Sequence, residues 1–253
     1  MEPITVSTIS VVIDMMQPER QSLLALLGEL DDDAWALPTE CPAYAVKGVA
    51  AHLLGDDLSL LSRQRDHAVQ GLVLVAERMP GVDFRTLLDT FNDQWVEAAR
   101  FLSPPLLIEL LRLSGDWTAE YYGEVDPGSP GEPVPLFSPT TGDTSPFWHA
   151  IAREFLERWT HHAQIRRALS RSSIPDPGVL AVGVNIISTV AAMPATVPNG
   201  PDAPWEIGPM ILGPSEQAAA ILTLAHTEDE VAAMVDGPPA LVAEFAGRVG
   251  RRT

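Results

Sequence analysis

The chain has 253 residues, of which 46% are hydrophobic, so it can form one large domain or a main domain with a smaller one. Its formal net charge of −18 argues against nucleic acid and anionic membranes as partners, because phosphates would meet a repulsive field. Its one cysteine, Cys41, excludes an internal disulfide and a cysteine-rich zinc site. The sequence has no signal-peptide pattern and no apolar run of roughly 18 residues, which predicts a cytoplasmic protein without a membrane partner.

The first half of the chain is predicted to be helical. Apolar residues recur at helical spacing from about residue 5 to 30, and Pro18 predicts that this helix either kinks or begins there. After a loop, a second helix is predicted from about residue 46 to 70. Asp83 is a candidate N-cap of a third helix, which ends at Pro104 and Pro105, where a fourth begins and reaches Tyr121.

The second half combines a loop, one long helix and a mixed tail. Residues 125–144 are rich in Pro, Gly, Ser and Thr and are predicted to form a loop. Ser145 is a candidate N-cap with Pro146 at the first helical position, which predicts a helix to about Leu169. Four long helices with a long crossover connection are typical of a four-helix bundle.

The tail is predicted to be a small α+β region. After a linker at residues 174–178 come a helix over 180–192, a Pro-rich stretch, an apolar run at 210–212 and a last helical piece over 228–249. We therefore predict two domains, a helical bundle over residues 1–172 and a C-terminal α+β region over 173–253.

Three residues have the types and spacing of a metal site. Glu157 and His161 stand four apart on one predicted helix, so they share a face, and His52 lies on another. A His/Glu/His set suits zinc and leaves an open position, as catalytic sites do, although nickel, iron and manganese accept the same ligands. The alternatives are a solvated Glu–His contact and a core histidine. The motifs of a serine hydrolase, a P-loop and a dinucleotide site are not found.

Other polar residues have more than one interpretation. His162 points about 100° around the helix from His161, which makes it a residue behind the ligands or on the surface. Asp56 could be a ligand, orient an imidazole or lie on the helix surface. Four arginines could hold a substrate carboxylate or form surface salt bridges: Arg153, Arg158, Arg166 and Arg167. Three aromatic residues are predicted to lie in the core: Phe84, Phe91 and Trp95.

Two segments carry a family resemblance. The first comprises Trp35, PTECPAYAV at residues 38–46 and VAAHLLG at 49–55, and the second is REFLERWTHHAQIR at 153–166. Over roughly residues 5–170 the chain resembles the mycothiol-dependent maleylpyruvate isomerase family. The resemblance implies a DinB-like four-helix bundle with one metal, held by His52, Glu157 and His161. It also implies a C-terminal region similar to sterol-carrier proteins, with few strands here.

The sequence departs from the family pattern at two places. Ala43–Tyr44 replaces the usual Gly–Trp pair in the loop, and Gln164 stands where many members have aspartate, three residues after the metal histidine. A glutamine can form a hydrogen bond but cannot act as a base. Chemistry that uses that carboxylate is therefore not expected to carry over.

The resemblance implies a metal-dependent enzyme that activates a low-molecular-weight thiol, such as mycothiol, for addition to a small electrophile. The outcome would be isomerisation or thiol transfer, with Zn²⁺ as the first candidate ion and Ni²⁺ or Fe²⁺ as others. Arg158 would orient an anionic substrate and Gln164 would tune the site. The alternatives are a thiol-independent Lewis-acid enzyme and a non-catalytic protein that binds a small ligand. Both a monomer and a homodimer are compatible with the sequence.

Overall fold

The computed structural model describes residues 1–134, 136–137, 144–200 and 202–250, which are mainly helical with small antiparallel sheets. The predicted class, mainly α with a small α+β region towards the C-terminus, is confirmed. Of the helices in these ranges, none is both long and apolar enough to cross a membrane. The chain forms two compact units, Arg20–Glu124 and Met1–Glu19 with Val125–Thr253. The predicted domain boundary between residues 172 and 173 stays a prediction.

The first helix, α1 (Ser10–Gly28), contributes residues to both units and continues through Pro18. The alternative in which the helix begins at Pro18 is therefore wrong. Its start is also later than predicted, since residues 6–9 form a turn. There the Thr5 amide donates to Thr8 Oγ1 at 2.8 Å, a local side-chain hydrogen bond that competes with helix formation.

The unit Arg20–Glu124 is built from helices that pack on α3. Its further helices are α2 (Asp32–Trp35), α3 (Val46–Leu60), α4 (Gly71–Arg78), α5 (Phe84–Ala99) and α6 (Pro104–Glu124). Helix α3 packs against α5 and α6, and α4 packs against α5. The Asp83 side chain accepts a hydrogen bond from the Thr86 amide at 3.1 Å, so the predicted cap of α5 is confirmed. The predicted fourth helix is confirmed in α6.

Three details of this unit differ from the sequence prediction. The helix expected over residues 46–70 changes to a π-helical turn at Leu61–Arg65, and residues 66–70 are not helical. Helix α4 was not anticipated. Phe84 is 66% exposed rather than in the core, whereas Phe91 and Trp95 are partly buried. Periodicity identifies the apolar face of α5, but not how much of that face a neighbour covers.

A buried ion pair fixes the interior of the same unit. Arg20 lies 2.9 Å from Asp57 Oδ2, and both side chains are almost fully buried. Ser114 Oγ donates to Asp57 at 2.6 Å, and Arg20 donates to the Leu111 carbonyl at 3.0 Å. A buried charge is tolerated only when it is paired and hydrogen-bonded in this way.

The second unit combines helices with two small sheets. Beyond the start of α1, its helices are α7 (Phe147–Ala168), α8 (Pro177–Val190), α9 (Ser215–Leu222), α10 (Glu228–Met234) and α11 (Pro239–Val249). Strands β1 (Pro130–Gly131) and β2 (Ser145–Pro146) pair antiparallel. A second antiparallel sheet has the order β3 (Ala195–Thr196), β4 (Trp205–Ile207) and β5 (Met210–Gly213). Helix α8 packs against both α7 and α9.

Three predictions in this unit need correction or restriction. Ser145 does not cap α7, because it belongs to β2 and its Oγ accepts from the Val134 amide at 3.4 Å. The last helical piece is two helices, since Pro238 and Pro239 interrupt the pattern between α10 and α11. The loop predicted over residues 125–144 contains β1, and residues 135 and 138–143 of it lie outside the described residues.

Candidate metal centre

The Glu157–His161 pair lies on α7, which begins and ends close to the predicted residues. The buried face of the helix carries Ile151, Phe155 and Trp159, all with at most 1% exposure. Glu157 and His161 lie at its margin, with side chains 34% and 13% exposed. His161 Nε2 is 3.1 Å from Glu157 Oε1, so the structure brings these two residues together as their spacing predicted.

The second nitrogen of His161 is held by Gln164. Nδ1 lies 2.8 Å from Gln164 Oε1, and the Gln164 side chain is buried. In the tautomer with a proton on Nδ1, the ring donates this bond and Nε2 presents a lone pair to the Glu157 carboxylate. Two acceptors 3.1 Å apart repel each other unless a cation or a second proton lies between them. The arrangement therefore suits a positive charge next to Nε2.

His52 lies in the other unit, on α3, where it is 6% exposed. The ring of Tyr44 stacks on it with 6.2 Å between centroids and 24° between planes. The Tyr44 hydroxyl donates to Asp93 Oδ1 at 2.7 Å, which links the ring to α5. Burial, together with this hydrogen bond, raises the pKa of Tyr44 above its ordinary value. Tyr44 thus holds one face of the His52 imidazole.

The neighbours of His161 on α7 are more deeply buried than predicted. His162 is fully buried and its Nδ1 lies 2.8 Å from Glu19 Oε1, so the surface interpretation is wrong. Arg158 is 3% exposed, and its Nε lies 3.6 Å from Glu154 Oε1. Arg153 reaches both Glu154 at 2.8 Å and Glu157 at 3.8 Å.

The sequence alone did not identify three acidic residues that lie near His52, Tyr44 and the Glu157–His161 helix. Glu19 and Glu154 are buried carboxylates, and Asp93 supports Tyr44. The signal for Glu154 was available, because it stands four residues before Arg158 on one helix face. Glu19 lies in the apolar stripe of α1, where an acidic residue indicates a buried partner. No local pattern pointed to Asp93.

The comparison with family models decides the relationship. The model described as mycothiol maleylpyruvate isomerase N-terminal domain matches residues 16–166, which is more than half of the chain. The chain belongs to this family. No curated protein and no solved structure matches it. The match confirms the resemblance noted from the two sequence segments, and the DinB-like helical fold that the family has agrees with the helical structure.

The mycothiol maleylpyruvate isomerase match includes each predicted metal ligand. His52, Glu157 and His161 all fall within residues 16–166, and each offers one imidazole nitrogen or carboxylate oxygen. Gln164 also lies in the matched range. The family membership relates the chain to metal- and mycothiol-dependent proteins.

Proposed function

We propose that the chain is a metal-dependent enzyme in which His52, Glu157 and His161 hold one divalent ion, with Zn²⁺ as the first candidate and Ni²⁺ or Fe²⁺ as alternatives. The observation that carries the proposal is the 3.1 Å approach of Glu157 Oε1 to His161 Nε2. Family membership supports His52 as the third ligand. Imidazole nitrogen and carboxylate oxygen are common zinc ligands, and three of them leave a position for a reacting molecule.

The reaction we propose is the addition of a low-molecular-weight thiol, such as mycothiol, to a small electrophilic substrate. A divalent ion at this site would lower the pKa of a thiol that binds to it. The protein would then fix the ligands: Gln164 accepts the hydrogen bond from His161 and sets its tautomer, and Tyr44 restrains the His52 ring. Release after rearrangement would give isomerisation, and a stable conjugate would give thiol transfer.

Arg158 enters the proposal as the residue that orients an anionic substrate. Its guanidinium is buried next to Glu154, so its charge is already partly balanced. If Arg158 binds the substrate, the variant Arg158→Lys should have a raised KM with little change in kcat.

The metal site is tested by elemental analysis of protein purified without a His-tag or a chelator. We expect near-stoichiometric metal in the wild type and almost none in His52→Ala, His161→Ala and Glu157→Gln. Gln164→Leu should weaken metal binding by about 10- to 100-fold, because it removes the partner that orients His161.

The matched control is His226→Ala, which disrupts a second His/Glu pair at the same spacing, with Nδ1 3.9 Å from Glu230. Metal-free wild type after incubation with Zn²⁺, Ni²⁺ or Fe²⁺ would exclude the metal site.

Thiol dependence separates the candidate functions. The proposal predicts turnover of a small electrophile that requires mycothiol and is lost together with the metal. Metal-dependent turnover without thiol would instead support the Lewis-acid alternative. The replacement of the family aspartate by Gln164 favours a second candidate, a non-catalytic protein that binds a small ligand. That candidate predicts ligand binding without turnover.

A further inference from the structure

A pocket between α4 and α5 has the lining of a small-molecule site. It lies within the unit Arg20–Glu124 and has a volume of about 280 Å³. Leu74, Val75, Phe91 and Trp95 form its apolar wall, and Arg78 and Gln94 are its polar lining residues. Apolar walls with a few polar groups are typical of sites for organic ligands.

Two close approaches fix the aromatic walls of this pocket. A Cβ atom at Gly71 would come within 2.5 Å of the Phe91 ring, so only glycine lets α4 begin this close to α5. A Cβ atom at Gly55 would come within 2.6 Å of Trp95, whose side chain lies directly against α3. Neither ring can move towards its glycine neighbour. These contacts restrict each ring on the side that faces its glycine, and fewer ring positions lower the entropic cost of ligand binding.

The charge of Arg78 is not balanced within the described residues. Every other described lysine or arginine has a hydrogen bond, an ion pair or another electrostatic partner, whereas Arg78 has none. This is unexpected in a chain with 34 acidic and 16 basic residues. The guanidinium is exposed and lines the apolar pocket. A ligand with one negative charge would complement it.

We propose that this pocket binds a compact organic carboxylate with an aromatic or apolar body. The planar guanidinium of Arg78 suits bidentate binding of a carboxylate, and the Gln94 amide can donate a further hydrogen bond. The body of the ligand packs between Phe91, Trp95 and Leu74. Because a volume of about 280 Å³ is just below the roughly 300–1,000 Å³ range of ligand pockets, the ligand carries a single ring. This site is additional to the proposed metal centre.

The proposal is tested by calorimetric titration of the full chain with phenylacetate, phenylacetamide and acetate. We expect saturable binding of phenylacetate, and binding about tenfold or more weaker for phenylacetamide, which has the same ring without the charge. Acetate should bind no better than the amide, since it lacks the body that fills the pocket. Arg78→Gln should weaken phenylacetate binding by a similar factor.

Two further variants separate this pocket from general charge effects. Arg112→Gln is the matched control, because Arg112 is also exposed but is paired with Asp116 at 3.2 Å, and it should leave binding unchanged. Leu74→Glu places a carboxylate in the lining and should abolish phenylacetate binding. The absence of saturable binding to wild type would overturn the proposal. Equal affinity for phenylacetate and phenylacetamide, or equal effects of Arg78→Gln and Arg112→Gln, would also overturn it.

Discussion

The imidazole of His161 has a polar neighbour at each nitrogen, Gln164 Oε1 at Nδ1 and Glu157 Oε1 at Nε2. An aspartate at position 164 would accept the same hydrogen bond with a full negative charge and make the ring a stronger ligand. Glutamine keeps the orientation and the tautomer without that charge. The glutamine therefore preserves the orientation of the candidate ligand His161 but leaves its ring less basic than an aspartate would.

His149 is a second histidine whose surroundings restrict its protonation. Its ring stacks on Phe137 with 4.2 Å between centroids and 9° between planes, and Trp148 lies edge-on at 4.1 Å. Its Nδ1 is buried without a hydrogen-bond partner in the described structure. Burial lowers the pKa of His149 below its ordinary value of 6.5, because the charged ring would lose hydration.

This lowered pKa predicts a pH dependence of stability. Below about pH 6.5 the unfolded chain binds a proton at His149 that the folded chain does not bind, so the unfolding free energy falls as pH falls from about 6.5 towards the folded-state pKa. His149→Phe keeps the aromatic stack and removes the titrating group. We expect urea unfolding of this variant, with a chelator present, to show a flatter pH dependence than wild type between about pH 7 and about pH 5.5.

The control for His149 is His67→Asn, which replaces an exposed imidazole whose φ of 56° asparagine tolerates. It should keep the pH slope of the wild type. An identical slope in wild type and His149→Phe would contradict the assigned role of burial.

At the scale of elements, Gly183 lets α8 pack closely against α7. A Cβ atom at Gly183 would come within 2.2 Å of Trp159 Cζ3, and Trp159 is fully buried between the candidate ligands, two residues from each along α7. The indole Nε1 donates to the Ser173 carbonyl at 3.3 Å, which restrains the ring further. Helix α8 therefore depends on glycine at this position to pack against α7.

Gly183→Ala is expected to lower the unfolding free energy by about 1–3 kcal/mol, because an added methyl group overpacks the α7–α8 contact. Urea denaturation measures this loss. The matched control is Gly123→Ala on α6, where no atom lies within 4 Å of the added Cβ. That variant should be neutral or more stable by up to about 1 kcal/mol, since alanine favours helix. Equal stability of the two variants would contradict the close packing at Trp159.

At the scale of the whole molecule, the charge balance opposes folding. The net charge of −18 places many like charges on a folded chain, and their repulsion is relieved when the chain expands. Several exposed acidic residues have arginine partners, as in the Asp89–Arg85 and Glu97–Arg100 pairs. These pairs cannot compensate an excess of 34 acidic over 16 basic residues.

We therefore expect sodium chloride to raise the melting temperature near neutral pH by a few degrees. Most of the effect should occur below about 0.3 M, because the screening length has already fallen to about 10 Å at about 0.1 M. Differential scanning calorimetry measures the change. The same titration near pH 4.5, the isoelectric point, should give a much smaller effect because the net charge is close to zero. A melting temperature that falls with salt at neutral pH would show that attractive pairs outweigh the repulsion.

The sequence by itself determined the features that depend on local chemistry. Asp83 caps α5 because its carboxylate accepts amide hydrogen bonds from the next turn, and that needs no distant residue. Glu157 and His161 meet because residues four apart share a helix face. The motifs around His52 and His161 also indicated the family that the comparison confirmed.

Only the tertiary structure decided which polar and apolar side chains are buried. His162 pairs with Glu19, 143 positions away, and Arg20 pairs with Asp57, although no local pattern marks either contact. Phe84 has the spacing of a core residue and is exposed. The physical reason is that burial depends on what packs against a face. Periodicity gives the direction of a side chain, whereas distant parts of the chain determine whether that direction leads to solvent, to a partner or to a pocket.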